Sequence, residues 1–188
     1  MTIEDFKTYV KTRKPLDTED IHRFMDDMSN EARRVTFRLN TAYHTPDEVR
    51  GLLSELFGYE VPQSLRVFPP LYADFGKNIT VGENVFINAC CHFQDHGGVT
   101  IGNGCQIGHN VVFATLNHGL APEERKYTYP APNRIRQECV GRLERYHSAR
   151  RDHRRQCRCC GRSGRYERRS GQYGRGRRSG KIYETYNK

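Results

Sequence analysis

The sequence lacks any apolar run long enough to cross a bilayer, which argues against a helical membrane-spanning protein. Met1–Lys14 also lacks the apolar core of a secretory signal peptide. We therefore expect a cytoplasmic protein with no membrane partner. In that reducing compartment, Cys90, Cys91 and Cys105 are predicted to be small buried apolar residues rather than disulfide partners.

Positive charge is scarce in the first 132 residues and abundant after them. The 188-residue chain has a formal net charge of +9, which taken alone suggests a nucleic-acid-binding protein. Residues 1–132 contain 13 Lys+Arg and 17 Asp+Glu, whereas residues 133–188 contain 18 and 5. The basic character therefore belongs to the final segment, and the rest is a slightly acidic body with the size of one domain.

Two stretches before residue 60 have the apolar spacing of three and four residues that is typical of amphipathic helices. The first, DTEDIHRFMDDMSNEARRVTFRLN, has one apolar face that includes Ile21, Phe24, Met25 and Met28. The second, HTPDEVRGLLSELFG, begins with Thr45 as a cap and Pro46 in the first turn, and ends at Gly58. We expect residues 1–60 to form a helical cap for packing and oligomerisation.

From residue 81 onwards the sequence has a six-residue period. Each block opens with an apolar residue followed by a small or polar one: Val81, Ile87, Phe93, Ile101, Ile107 and Phe113. A two-residue slip at Val99–Thr100 interrupts the period once. This period fits neither a helix nor a regular antiparallel sheet, and it predicts a parallel β-helix over residues 69–118. Val81, Ile87, Ile101 and Ile107 should point inward.

The repeat is broken by TLNHGLAPEERKYTYPAP, residues 115–132, which is too long to lie within a coil. We predict that this loop protrudes, since long ordered loops run over the surface. His118 lies at its root. An imidazole suits proton transfer near neutral pH, but a loop histidine is also often a plain solvated residue. On the residues alone, both interpretations stay open.

The stretch from Pro69 to Pro132, PPLYADFGKNITVGENVFINACCHFQDHGGVTIGNGCQIGHNVVFATLNHGLAPEERKYTYPAP, resembles the maltose and galactoside O-acetyltransferases, which are hexapeptide-repeat enzymes. A looser resemblance covers Asn40–Gly58. The resemblance implies a mainly β fold, a left-handed parallel β-helix after a helical cap. It also implies a homotrimer with active sites between subunits, and acetyl transfer from acetyl-CoA to a sugar hydroxyl without a metal.

The same resemblance implies roles for individual residues. His118 falls on the catalytic histidine of the family, and either Glu123 or Glu124 is a candidate for orienting it. The substrate-binding candidates are Asn88, Asp74, Asp95 and His96.

Two of these candidates differ from the family pattern, so the identity of the acceptor stays open. Asp74 stands where the galactoside enzymes have a serine, and His96, beside Asp95, stands where they have an aspartate. The alternative for Asn88 is a side-chain ladder within the coil. For Asp95 and His96 the alternative is a polar turn.

After Pro132 the resemblance ends, and the chain turns to arginine-rich sequence with almost no aliphatic residues. The coils that supply most of the acetyl-CoA site in the family are missing there, so no cofactor-binding residue is assigned. When the tail is back-translated with degenerate codons and read one nucleotide later, the new codons permit further hexapeptides. Gly174–Gly180, for example, becomes compatible with VVGGVPA. We interpret residues 133–188 as a frame-shifted tail, irregular or disordered, behind a truncated β-helix over 61–132. Acetyl transfer should be impaired.

Two other interpretations of the tail remain. An arginine–glycine segment with interspersed Tyr166 and Tyr173 is also typical of non-specific RNA binding through phosphate contacts and stacking. A zinc site is a weaker possibility, because the spacing lacks the paired C-x-x-C of common sites. Its ligands would come from the CRCC stretch with Cys139, His147 and His153.

Overall fold

The computed structural model describes residues 1–119 and 121–136, and beyond them only the backbone of six short strands between Val140 and Thr185. The described chain begins with three α-helices: α1 (Ile3–Lys11), α2 (Glu19–Thr41) and α3 (Pro46–Phe57). The strands are β1 (Arg66–Val67), β2 (Leu71–Ala73), β3 (Ile79–Val81), β4 (Phe86–Ile87), β5 (Cys91–Gln94), β6 (Val99–Ile101), β7 (Gln106–Ile107), β8 (Val112–Ala114), β9 (Leu116–His118), β10 (Thr128–Pro130), β11 (Asn133–Ile135), β12 (Val140–Gly141), β13 (Tyr146–Ser148), β14 (Asp152–His153), β15 (Arg158–Cys159), β16 (Gly174–Arg178) and β17 (Lys181–Thr185).

Successive strands of the repeat visit three parallel sheets in rotation, which is the topology of a three-sided coil. The sheets have the orders β1-β4-β7-β12-β15, β2-β5-β8-β13 and β3-β6-β11-β14. Arg66 pairs with Phe86, and Phe86 pairs with Gln106, so each early coil takes 20 residues. This is three hexapeptides and two further residues. The next partner of Gln106 is Val140, because residues 115–132 leave the coil before it closes.

The apolar residues that open the six-residue blocks form the interior of the coil. All six are buried, with relative exposures of 0–5%: Val81, Ile87, Phe93, Ile101, Ile107 and Phe113. Parallel strands require this arrangement, because in-register pairing stacks equivalent positions of successive coils above one another. The predicted parallel coils and their inward-pointing residues are confirmed.

The three helices begin at hydroxyl caps. The hydroxyl oxygens of Thr2, Thr18 and Thr45 accept hydrogen bonds from backbone N–H groups of the first turns. α3 ends at Gly58, whose φ of 78° is accessible to glycine at little cost. None of the helices in the described part of the chain is long and apolar enough to cross a membrane.

The helical cap packs on the coil itself. α2 and α3 add their apolar faces to the coil interior, including Val35, Leu39 and Leu53. The side-chain amide of Asn40 joins α2 to β2 by donating to the carbonyl of Leu71 and accepting from its N–H, both at 2.9 Å. α1 contributes to a second, aromatic cluster that contains Phe6, Leu16, Ile21, Met28 and Phe75. The cap therefore has a partner within the chain, and its role in oligomerisation stays a prediction.

The coil continues further than the sequence indicates. Ile135 is 5% exposed, and β11 pairs in parallel with β6. The intact coil therefore reaches Ile135 rather than ending at Pro132. Strands β12 to β15 also pair in parallel with the coil, and β16 pairs with β17 as a hairpin.

The prediction of an irregular tail is wrong for these strand segments. Ladder hydrogen bonds use backbone groups alone, and residues 133–188 contain no proline to interrupt them. The rest of the tail, with Cys139, Cys157, Cys160, Tyr166 and Tyr173, lies outside the described residues, and so does any packing of its side chains.

Candidate active site

The segment that interrupts the coil is a two-stranded arm, which we define as residues 115–132. Within it β9 pairs antiparallel with β10, and the residue opposite His118 is Thr128. The arm starts from Thr115, which is fully buried. Beyond His118 the chain turns tightly against the short 3-10 helix Pro122–Glu124, since a Cβ atom on Gly119 would lie 2.4 Å from the Cβ of Glu124. Glycine is therefore required beside the histidine.

His118 is exposed at the end of β9, and its ring has one fixed partner. Its Nδ1 lies 2.7 Å from the carbonyl oxygen of Arg125. A carbonyl oxygen only accepts hydrogen bonds, so Nδ1 must hold the proton and donate it. In the neutral ring, Nε2 then keeps its lone pair and faces away from this hydrogen bond. The geometry gives His118 the tautomer that a general base requires.

The orienting group differs from the one expected from the sequence. Glu123 and Glu124 are exposed on the 3-10 helix, and neither side chain hydrogen-bonds to another described residue. The Arg125 carbonyl takes the place proposed for a glutamate. No sequence pattern identifies this partner, because any residue at position 125 offers the same backbone oxygen.

The helical cap contacts the arm on the β10 side. The N–H of Leu16 donates to the carbonyl of Thr128 at 2.8 Å, directly opposite His118 in the ladder. Leu116, two residues before His118, packs against the aromatic cluster of the cap. Sequence reasoning missed both contacts, because each joins residues that are far apart along the chain.

Asp95 is fully buried and serves as a turn residue of the coil. One carboxylate oxygen accepts from the N–H of Phe75 at 2.9 Å and the other from the N–H of Asn78 at 3.4 Å. Burial raises the pKa of Asp95 to about 6, although these N–H groups favour the charged form. Its position favours the polar-turn interpretation over direct contact with a substrate.

His96 is also buried, at 4% exposure, but its ring lies in the aromatic cluster of the cap. It stacks on Phe75 with ring centroids 5.7 Å apart and meets the edge of Phe6 at 6.2 Å. Neither ring nitrogen has a hydrogen-bond partner among the described residues. Burial lowers the pKa of His96 to about 4, because the charged ring would lose its hydration.

Replacing His96 with Phe should remove an acid-dependent loss of stability. The folded protein keeps the ring neutral down to a pKa of about 4, whereas the unfolded chain protonates it near the ordinary value of 6.5. The unfolded state thus binds more protons in this window, and the contribution of His96 falls by about 3 kcal/mol as the pH drops through it. Asp95, whose pKa is raised to about 6, changes in the opposite direction and partly hides the effect in the parent protein.

The measurement is denaturant unfolding of parent and His96→Phe at pH 7.5 and pH 4.5. The variant should gain stability relative to the parent at the lower pH. His109→Phe is the matched control, because it makes the same substitution at an exposed histidine and leaves the buried ring of His96 in place. If the difference in the free energy of unfolding between the parent and His96→Phe were the same at pH 7.5 and pH 4.5, the prediction would be contradicted.

Asn88 and Asp74 lie nearer to solvent than Asp95 and His96. The side-chain oxygen of Asn88 accepts from the N–H of Ala89 at 2.9 Å, while its NH₂ group has no partner in the described part of the chain. Asp74 follows β2 and is exposed. Partial shielding from water raises its pKa, against the opposing charge of His92. His92 is stacked on Tyr72 with ring centroids 4.6 Å apart.

The candidate residues therefore form two groups. Asn88, Asp74 and His118 remain available to a ligand, whereas Asp95 and His96 are held in the interior of the single chain. Among the described residues, no group of three His, Cys, Asp or Glu side chains is arranged to hold a metal ion. Cys139, His147 and His153, considered above for the weaker possibility of a zinc site, lie outside the residues whose side chains are described.

A three-sided parallel coil with a six-residue sequence period is the architecture of a hexapeptide-repeat protein. Among solved structures, the hexapeptide-repeat acetyltransferase of Vibrio cholerae superimposes with a TM-score of 0.61 at 26% identity, covering 73% of each chain. A maltose O-acetyltransferase of Clostridium difficile superimposes with a TM-score of 0.59 at 23% identity, covering 71% of this chain and 75% of its own. The second match shows the fold alone.

Sequence comparison finds the same class of proteins. A Staphylococcus haemolyticus chain described as an acetyltransferase is 37% identical over 106 residues, or 54% of this chain and 55% of its own. The galactoside O-acetyltransferase of Escherichia coli is 30% identical over 103 residues, or 52% and 50%. The chain thus spans about half the length of these curated relatives. No protein-family model matches it. The predicted resemblance to the maltose and galactoside O-acetyltransferases is confirmed.

Proposed function

We propose that this chain is a sugar O-acetyltransferase with His118 as its general base. The observation that supports this most directly is the hydrogen bond from His118 Nδ1 to the Arg125 carbonyl, which leaves Nε2 free to accept a proton. The similarity to chains named acetyltransferases supports the reaction class. Acetyl-CoA is the proposed donor, in keeping with the Vibrio cholerae protein, which has also been solved with acetyl coenzyme A.

The chemistry requires one proton to move in and out of the imidazole. Nε2 takes the proton from the acceptor hydroxyl as its oxygen attacks the thioester carbonyl. The C–S bond then breaks, and the proton passes to the departing thiolate of coenzyme A. Binding both substrates beside His118 supplies proximity, and backbone N–H groups stabilise the developing oxyanion.

Residues near the solvent are the proposed acceptor contacts. The free NH₂ group of Asn88 is suited to donate to a sugar hydroxyl, and the Asp74 carboxylate is suited to accept from one. Two relatives and neighbours are named for galactoside and maltose, which supports a sugar as the acceptor. We further propose a left-handed coil, a homotrimer and active sites between its subunits. In such an assembly the arm of one subunit would lie against the coil of the next.

The test is an assay of coenzyme A release with acetyl-CoA and a panel of maltose, glucose and galactosides. Acetyl transfer, where measurable, should fall by about a hundredfold or more in His118→Ala, the size expected for loss of a general base. His109→Ala removes another exposed histidine and should leave the rate unchanged. Equal rates in His118→Ala and the parent would reject His118 as the base.

Nucleic-acid binding through the basic tail is the second candidate, and the charge of residues 133–188 is the observation that favours it. Such binding would weaken steeply with salt, because each neutralised phosphate releases counterions. An electrophoretic shift with single-stranded RNA at two salt concentrations distinguishes it from the enzymatic proposal. A salt-sensitive shift without any acetyl transfer would favour the tail as the functional part.

A further inference from the structure

Gln94 contacts the root of the arm with both its backbone and its side chain. Gln94 is the last residue of β5, partly buried, and pairs with Ala114 of the next coil. Its side-chain Oε1 accepts from the N–H of Leu116 at 3.0 Å. Leu116 is the first residue of β9, and only Asn117 separates it from His118. The side chain of one coil residue therefore contacts the strand that ends in the histidine.

The backbone of Gln94 contacts the residue before Leu116 as well. Its carbonyl accepts from the N–H of Thr115 at 3.2 Å and also from the Thr115 hydroxyl. The Thr115 hydroxyl oxygen in turn accepts from the N–H of Gly97 at 2.9 Å. Gln94 thus bonds to Thr115, the first residue of the arm, with its backbone and to Leu116, the first residue of β9, with its side chain. The change of direction between coil and arm occurs between these two contacts.

The pairing of the arm explains why this side chain is needed. Ala131 donates to the Thr115 carbonyl and Gly119 donates to the Tyr127 carbonyl, so residues 115 and 119 direct their peptide groups towards β10. In an antiparallel ladder the residues between such positions alternate. The N–H of Leu116 therefore points away from β10. Gln94 Oε1 is the partner that the described structure provides for it.

We propose that Gln94 is a positioning residue that fixes the arm and thereby the tautomer of His118. The ring hydrogen bond to Arg125 requires β9 to stay in register with the turn, because His118 and Arg125 lie on opposite sides of the Gly119 bend. Loss of the Leu116 contact lets the root of β9 shift, and the ring then exchanges its fixed Nδ1–H donor for a mixture of tautomers. Only the catalytic consequence of this inference rests on the proposed function.

The test compares Gln94→Leu with Gln94→Glu in the full chain. Leucine keeps the approximate size but has no acceptor, whereas glutamate keeps an oxygen at the same position. We expect amide exchange at Leu116 to be about two- to tenfold faster in Gln94→Leu, the effect of losing one hydrogen bond, and restored in Gln94→Glu. Long-range ¹H–¹⁵N spectra of the His118 ring at pH 8, above the usual titration range of imidazoles, report the tautomer.

In the parent and in Gln94→Glu, the two ring nitrogens of His118 should have the well-separated ¹⁵N chemical shifts of an Nδ1–H tautomer. In Gln94→Leu the two ¹⁵N shifts should move towards each other, as expected for a mixture of tautomers. Gln106→Leu is the matched control, since Gln106 is exposed on β7 and has no side-chain hydrogen bond to another described residue. Unchanged ring shifts and Leu116 exchange in a folded Gln94→Leu protein would overturn the proposal.

Kinetics separate this inference from the proposed function. In a form with measurable acetyl transfer, Gln94→Leu should lower kcat by about ten- to a hundredfold, as expected for a small misplacement of a catalytic group. The KM for acetyl-CoA should not change. If His118→Ala leaves transfer intact, the proposed function fails while the ring spectra still decide the role of Gln94. If the spectra change but kcat does not, Gln94 orients the ring without serving the reaction.

Discussion

Shifting the reading frame by one nucleotide after Pro132 should raise acetyl transfer by at least about a thousandfold over the chain as it stands. The histidine arm is intact, but a base alone does not supply a thioester within attack distance. Holding both reactants together is worth effective molarities of about 10⁵–10⁸ M in well-oriented systems. The hexapeptides that the shifted frame permits would supply aliphatic residues to continue the interior column, whereas residues 133–188 contain few of them.

The measurement is acetyl-CoA-dependent acetylation of maltose, glucose and galactosides by both forms, together with their oligomeric state by light scattering. The restored form should be a trimer, whereas the present chain should aggregate, because the segment that follows its last apolar coil is rich in arginine and has few aliphatic side chains to bury against it. His118→Ala in the restored form is the control that ties the gain to the arm. Equal activity in the two forms would show that the tail, as translated, supports the donor site.

Replacing Phe113 with Ala should destabilise the coil by about 3–5 kcal/mol, the usual range for deleting a buried aromatic ring. Phe113 has no exposed surface and lies in the interior column directly before the arm. Its ring stacks on Phe93 of the preceding coil with centroids 4.6 Å apart. A stacked pair adds about 0.5–1.5 kcal/mol to the effect of burial. The cavity would open beneath Thr115, at the root of the arm.

Chemical denaturation followed by circular dichroism measures this effect. Phe37→Ala is the control, because Phe37 lies on α2 with 68% of its surface exposed, and an exposed substitution usually changes stability by less than about 0.5 kcal/mol. A similar loss of unfolding free energy in Phe113→Ala and Phe37→Ala would mean that the interior column contributes no more to stability than an exposed position. Retained stability in Phe113→Ala would contradict the interior assignment.

The coils and helices were determined by local pattern. Apolar residues such as Ile87 and Ile107 recur at the same place in successive blocks, and in-register parallel pairing makes one buried column of them. Thr45 and Gly58 likewise mark both ends of α3. Such features depend on the order of residue types within a few positions, so the sequence alone predicts them.

The environments of the candidate site residues were decided by tertiary structure. Asp95 and His96 are adjacent in sequence, yet one bonds to the turn at Phe75 and Asn78 while the other enters the aromatic cluster of α1. Neither environment follows from the local pattern, because both depend on which residues lie one coil below or come from the helical cap.

The hydrogen-bond partners of the arm were also decided by tertiary structure. Arg125 orients His118 through a backbone oxygen, and Gln94 reaches Leu116 across 22 positions of the chain. Each coil takes 20 residues rather than 18, so Gln94 lies directly beside Ala114, where the arm leaves the coil. Sequence periodicity locates the arm and its histidine. Only the folded coil determines which groups hold them, since hydrogen-bond partners are selected by distance in space rather than along the chain.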